Sequence, residues 1–375
     1  MTWPKVQLGE VCDFLDRRRR PVKEADRAAG PYPYFGANGQ QGTIDGFLFD
    51  EPLVLLAEDG GHFDDPQRGI AYGVEGKCWV NNHAHVLRPK PRIDVRYLAR
   101  VLENRDVTPY VTGTTRAKLT KSGAERVEIP LPPLPEQRRI AAILDHADSL
   151  RTKRRAAIEA YDELRRSTFA RMFDDPSRNA FGFPLVTIGD LVDSTQYGTS
   201  EKSGDAGEFR VLGMGNLTVD GRIDPTGSKL TDLAADKFER YTVRRGDLLF
   251  NRTNSPDLVG KTAVYGSDVP MAYAGYLIRV RFNDEVDSHY VAGYLNSGHG
   301  KTVLRNMCKS IIGMANINAK EMQKIRILRP PFELQHKYAR AVEAIESSRW
   351  AMLNELTQLD ALFSSLQSRA FRGEL

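Results

Sequence analysis

Twice in 375 residues the chain writes the same opening for a long helix, PPLPEQRR at 132–139 and PPFELQHK at 330–337. Laying residues 132–173 on 330–371 without a gap gives 11 identities in 42 pairs, where unrelated sequences of average composition would give about two or three. The first stretch then runs to Phe173 without Gly or Pro, enough for a rod of about 55 Å at about 1.5 Å per residue. Ile140, Ile143, Ala147, Leu150, Ala157, Tyr161 and Leu164 recur at three-and-four spacing, broken at Arg154, where the stripe passes to Ile158. The second stretch carries a stripe in phase with it: Tyr338, Val342, Ile345, Met352, Leu356, Leu359, Leu362 and Leu366. Two matching stripes predict that the helices pack on each other, antiparallel or crossed. The competing reading is two unrelated amphipathic helices, each serving its own domain.

The segments before the helices repeat as well. WPKVQLGEV at 3–11 matches FPLVTIGDL at 183–191, and PLVLLAEDGG at 52–61 resembles DLLFNRTNS at 247–255, each an apolar strand running into a polar turn. Short helical patterns follow in DVRYLARVL (94–102) and DSHYVAGYL (287–295), and a turn-rich segment ending in a strand precedes each long helix. The offset between copies drifts from 180 through 194 to 198, as expected when loops vary on a common frame. The predicted architecture is α+β, an internal duplication with a pseudo-two-fold arrangement. It consists of two similar strand-rich domains (1–131 and 174–331) separated by two long helices (132–173 and 332–375) packed as a coiled-coil-like pair.

Charge narrows the function classes. Residues 1–131 carry 19 basic and 18 acidic side chains, and 174–331 carry 20 and 19, so neither domain would hold nucleic acid by bulk charge; local patches or partners must do so. No apolar run approaches a membrane span, MTWPKVQLGE lacks the pattern of a secretory signal, and Cys12, Cys78 and Cys308 make no disulfide framework. A cytoplasmic location without membrane contact is expected.

Catalytic motifs are missing: no phosphate loop of the GxxxxGK[ST] type, no HExxH, no CxxC, no GxSxG. The only Pro-Pro-Phe is preceded by Arg329, which excludes an amino-methyltransferase motif. His83 and His85 could ligate a metal, but without a third ligand nearby they read better as a strand packing on its neighbours. Glu58, Asp59, Asp64 and Asp65 read as solvated turn residues rather than a nuclease metal site. No catalytic or metal residue is assigned.

Side chains suited to reading base edges are common in the turns. In the first block these are Arg17, Arg18, Arg19, Arg20, Asn38, Gln40, Thr114, Thr115, Arg116 and Lys118. In the second they are Gln196, Tyr197, Asn251, Arg252, Thr253, Asn254, Asn316 and Asn318. An ordinary turn residue is the competing reading for each, and Arg17–Arg20 is expected to mix phosphate contact with solvation.

At this point the chain resembles a known family, the specificity subunits of type I restriction-modification systems. The resemblance rests on PLPPLPEQRRIAAILDHAD, FNRTNSPDLVGKTAVY (250–265), IIGMANINAKEM (311–322) and SSLQSRAFRGEL (364–375), together with the duplicated plan. The second helix opening departs from the family, with Phe332, Glu333, Leu334 and His336 where Leu-x-Glu-Gln is usual. The resemblance implies two target recognition domains, each reading one half of a split asymmetric DNA site, and helices that set the gap and dock methyltransferase subunits. Ile140, Leu144, Leu150, Tyr161, Leu164, Leu356, Leu359 and Leu362 are the candidates for partner docking. It also implies no cofactor in this chain, with S-adenosylmethionine in the methyltransferase subunits, two of them expected, and ATP with Mg in restriction subunits, whose presence the sequence leaves open. A stand-alone DNA-binding regulator and an assembly scaffold are the alternatives. The first should bind DNA tightly by itself, and the second gives no reason for the two blocks to differ most in their turns.

Overall fold

The computed structural model describes residues 3–65, 68–113, 117–311 and 314–375. Two compact units emerge, Met1–Arg155 with Asn354–Leu375, and Ala156–Leu353. The long helices span Leu134–Phe173 and Phe332–Arg372, so each contributes one part to each unit.

In the first unit, a four-stranded antiparallel sheet has the order Cys12–Phe14, Ala84–Pro89, Leu53–Ala57, Ala71–Val74. Its central strand is buried at every position because both faces are covered. Val54 and Leu56 point into a core shared with Tyr97, Leu98, Ile140, Leu144 and Phe363, while Leu53 and Leu55 meet Phe49, Val80 and Val86. This period-two division explains why the run LVLLA contains no polar residue. The second sheet orders Gly39–Ile44, Tyr32–Gly36, Lys77–Val80 and Phe49–Asp50, with Tyr32–Gly36 and Lys77–Val80 parallel. Lys5–Gln7 pairs with Glu128–Pro130.

The second unit repeats this plan strand for strand. Val192–Tyr197, Leu277–Phe282, Leu248–Asn251 and Thr262–Val264 form the first sheet. Lys229–Thr231, Phe209–Leu212, Met271–Tyr273 and Thr242–Val243 form the second, again with one parallel pair. Leu185–Thr187 pairs with Arg326–Leu328. Leu248 and Phe250 face a core containing Tyr290 and Tyr338, and Leu249 faces the other sheet. The duplicated α+β plan expected from the sequence is therefore present.

The repeated helix opening has a local cause. Gln137 is fully buried; its Oε1 accepts the Asp94 backbone N–H at 2.8 Å, and its Nε2 donates to the carbonyls of Pro132 (2.8 Å) and Arg92 (3.1 Å). Gln335, 198 residues on, is also fully buried and bonds Asp287 N, Pro330 O and Glu285 O in the same way. Asp94 and Asp287 in turn cap the short helices Val95–Glu103 and Ser288–Asn296. Tyr97 and Tyr290 donate from these helices to the carbonyls of Pro130 and Leu328. The Phe332–His336 departures thus leave the central glutamine and its three bonds intact.

Within each unit the helix halves run antiparallel. In the first, Arg151 meets Asp360 at 2.6 Å and Arg154 meets Glu355 at 2.5 Å; in the second, Arg349 meets Asp162 at 2.9 Å and Phe169 stacks edge-on to Tyr338. Arg151 and Arg349 are equivalent positions of the repeat, as are Asp162 and Asp360, so the duplication supplies both ends of both ion pairs. The break in the seam at Arg154 is this polar stretch. Among the described residues, no helix is long and apolar enough to cross a membrane.

Candidate nucleic-acid interface

In the second unit, the buried strand Leu248–Asn251 ends at a turn whose next residues leave the core. Thr253–Asn254 pairs antiparallel with Met314–Asn316, bringing residues more than sixty positions apart side by side. Asn316 Oδ1 accepts from Arg252 Nε and from Thr253 Oγ1, each at 3.3 Å. The Arg252 guanidinium carbon lies 4.8 Å from the centre of the Tyr197 ring, and the Tyr197 hydroxyl accepts the Ala319 backbone N–H at 3.0 Å. Tyr197, Arg252, Thr253 and Asn316, drawn from three separate segments at the ends of strands, thus form one polar junction, with Gln196 beside it donating to the Tyr197 carbonyl.

Asn251 and Asn318, also expected as readers, do structural work instead. Asn251 is fully buried because it is the last residue of the core strand. Asn318 caps the helix Ala319–Gln323 in a capping box with Glu321. The side-chain Oδ1 of Asn254 accepts the Ser255 backbone N–H at 2.9 Å.

Strand register locates the corresponding place in the first unit. Ala57 pairs with Ala84 where Asn251 pairs with Leu277, and Asp59 bridges Lys118 where Thr253 pairs with Asn316. Glu58 therefore stands for Arg252 and Lys118 for Asn316. Leu15 N–H donates to Val86 O where Gln196 pairs with Arg279, which puts Asp16 in place of Tyr197. The chemistry at this place is ionic. Glu58 accepts from Arg19 Nη1 at 2.6 Å and from Lys118 Nζ at 2.9 Å, and its side chain is only 12% exposed. It is a buried ion-pair partner rather than a solvated turn residue. Arg19, equally buried, also donates to the Ala84 carbonyl, so it neither meets solvent freely nor reaches a phosphate.

His85 is fully buried in the middle of the sheet, with Nδ1 2.7 Å from Asp16 Oδ2 and Nε2 2.8 Å from the Leu119 carbonyl. His83 instead pairs with Asp59. Asp16, Glu58 and His85 offer ligand atoms within 4.8 Å of one another, but Arg19 and Lys118 already balance the two carboxylates, and the donor set is satisfied as an ion network. Burial alone would raise both carboxyls; His85, the Val86 N–H and Arg19 hold Asp16 below the ordinary range, and Lys118, Arg19 and His85 do the same for Glu58.

Of the remaining first-unit candidates, Arg17 and Arg20 are exposed. Arg18 lies over the Phe49 ring and bonds the Leu48 carbonyl. Asn38 and Gln40 are exposed, and Asn38 Nδ2 ties its turn to the Gly60 carbonyl at 3.0 Å. Thr114, Thr115 and Arg116 lie outside the described residues.

The candidates for partner docking divide by burial. Ile140 and Leu144 are fully buried in the first unit's core, so their apolar surface is already spent within the chain and cannot meet another subunit. Tyr161, Leu356 and Leu359 are half-buried. Leu150, Leu164 and Leu362 are 40–49% exposed, and Leu150 and Leu362 join Ile143, His146 and Leu366 around an open apolar groove of about 440 Å³.

Duplicated two-sheet units built on halves of the same two helices, with polar junctions at matching turns, define the class of fold. Residues 1–160 match the family described as type I restriction modification DNA specificity domain. A Haemophilus influenzae relative, provisionally assigned as a type I restriction enzyme specificity subunit, is 39% identical over 38% of this chain. The chain spans 37% of that protein's length. The StySPI specificity subunit of Salmonella potsdam is 24% identical over 80% of this chain and 69% of its own. The crystal structure of an M. genitalium type I restriction-modification S subunit superposes with a TM-score of 0.65 at 16% identity, covering 99% of this chain and 96% of that one. By sequence and fold together, the chain is similar throughout to type I specificity subunits.

Proposed function

We propose that the chain is the DNA-recognition subunit of a type I restriction-modification complex, each unit reading one half of a split, asymmetric site. The observation that carries this reading is the pair of equivalent junctions: Tyr197, Arg252 and Asn316 in one unit stand where Asp16, Glu58 and Lys118 stand in the other. One framework whose equivalent positions differ in chemistry, an arginine stacked on a ring in one unit and an ion network in the other, suits two different half-sites, since direct readout depends on the pattern of groups offered to base edges. A scaffold would have no use for the difference. The near-balanced charge of each block favours recognition within a complex over a stand-alone regulator.

In this reading methyl transfer and its S-adenosylmethionine belong to methyltransferase subunits, two of them matching the duplicated helix surfaces. ATP with Mg belongs to restriction subunits where these are present. Leu150, Leu164 and Leu362 are the exposed helix positions that a methyltransferase subunit would cover, and the assembly works in the cytoplasm. The test is co-expression with methyltransferase subunits followed by sequencing of methylated genomic sites. A two-part site with unlike halves, and no methylation by the chain alone, is expected. Methyl transfer by the isolated chain, or a single undivided site, would overturn the proposal.

A further inference from the structure

We infer that Arg252 reads a guanine in the half-site bound by the second unit, held for that task by Tyr197 and Asn316. The inference rests on the recognition function proposed above and names the base.

Three observations converge. The guanidinium uses one of its donors, Nε, on Asn316 Oδ1, and among the described residues no carboxylate pairs with it. Its Nη groups therefore retain the fork that fits two acceptors at once. Second, the group sits over the Tyr197 ring, whose hydroxyl is anchored by the Ala319 N–H, so the plane of the fork is set from below by stacking and from the side by a hydrogen bond. Third, Asn316 is held by Thr253 Oγ1 and by strand pairing.

Fixing a flexible arginine costs side-chain entropy. That cost brings little to a phosphate contact, which tolerates many geometries. It matters where two parallel bonds must meet the O6 and N7 acceptors of guanine in the major groove. In the first unit Glu58 stands in the place of Arg252, and Lys118, in the place of Asn316, is a single-point donor engaged by Glu58, so the same base is not expected there.

The test uses the complex with methyltransferase subunits and a pool of duplexes randomised across the half-site, with methylated molecules sequenced. The wild-type complex should fix one guanine in the half-site assigned to residues 174–331. Arg252→Lys keeps the charge and loses the fork, so discrimination for that guanine should fall about 10- to 100-fold, with every other position unchanged. Asn316→Ala, which releases the guanidinium and the Thr253 hydroxyl, should weaken discrimination at that same position and nowhere else. Competition binding between duplexes that differ only at this base gives the same readout if a variant methylates too slowly to sequence. A half-site without a fixed guanine overturns the inference, as does an Arg252→Lys complex that loses binding equally for guanine and adenine duplexes, the behaviour of a phosphate contact. If the wild-type complex methylates no two-part site, the recognition function itself fails and the inference falls with it.

Discussion

Glu58 shows how much one side chain decides in this fold. It neutralises Arg19 and Lys118 from a position that is 12% exposed, and removing its charge leaves two cations facing each other in a partly dry site. Glu58→Gln should cost about 3 kcal/mol of stability in the first unit, read as a drop in the urea midpoint, with little change when Arg17→Ala is made as an exposed control. The pH dependence has a definite sign. Asp16 and Glu58 are held below their ordinary values of 3.8 and 4.5, so their contribution to stability is fully present above those values. It is lost as pH falls through the lower folded ones. Wild-type stability should therefore decline steeply below about pH 4, and the Glu58→Gln variant should show a shallower decline.

At the scale of elements, the two buried glutamines lock each long helix to the short helix beside it. Gln137→Leu would leave Asp94 N–H and the carbonyls of Arg92 and Pro132 without their partner, a loss of about 2–4 kcal/mol for buried groups of this kind. Gln335→Leu should lose a similar amount, and because the residues serve separate units their effects on a two-unit unfolding profile should be independent. The second unit has a further clamp. Arg222 bonds Glu346 at 2.8 Å and lies 2.9 Å from Asp162, with its side chain 11% exposed, tying the 213–226 segment to both long helices. Arg222→Ala should destabilise that unit by about 3 kcal/mol and leave the first unit's transition in place.

For the whole molecule, the helix halves are paired by unit: residues before Arg155 with those after Asn354, and the rest together. A four-residue insertion in one helix alone would pull ion pairs such as Arg151–Asp360 out of register. Matched insertions after Arg155 and after Leu353 keep the pairing in both units and lengthen each helix by about 6 Å with a residual rotation of about 40°. If the helices set the gap between half-sites, methylation-site sequencing of the doubly inserted variant should show the gap longer by about one or two base pairs, with the bases of both halves unchanged. An unchanged gap, or changed bases, would show that the helices are not the spacer.

The sequence by itself determined the duplication, the long helices and their seam, and the strand-into-turn motif, because these are written as local periodicities and as identities at fixed offsets. The glutamines were visible there as an identity at an offset of 198, although their three bonds were not. Which turn residues face outward was decided only by tertiary structure. Asn251 and Arg252 are neighbours in sequence, yet one ends a core strand and the other begins the exposed junction. Asn316 and Asn318 are two apart, and one orients Arg252 while the other caps a helix. Glu58 and Arg19 looked like solvated charges until strand pairing brought them together across 39 residues. Composition and spacing record what a segment can form, whereas the partner of a polar side chain depends on non-local pairing, and it is that pairing which separates a side chain left at the surface from one bound into the framework.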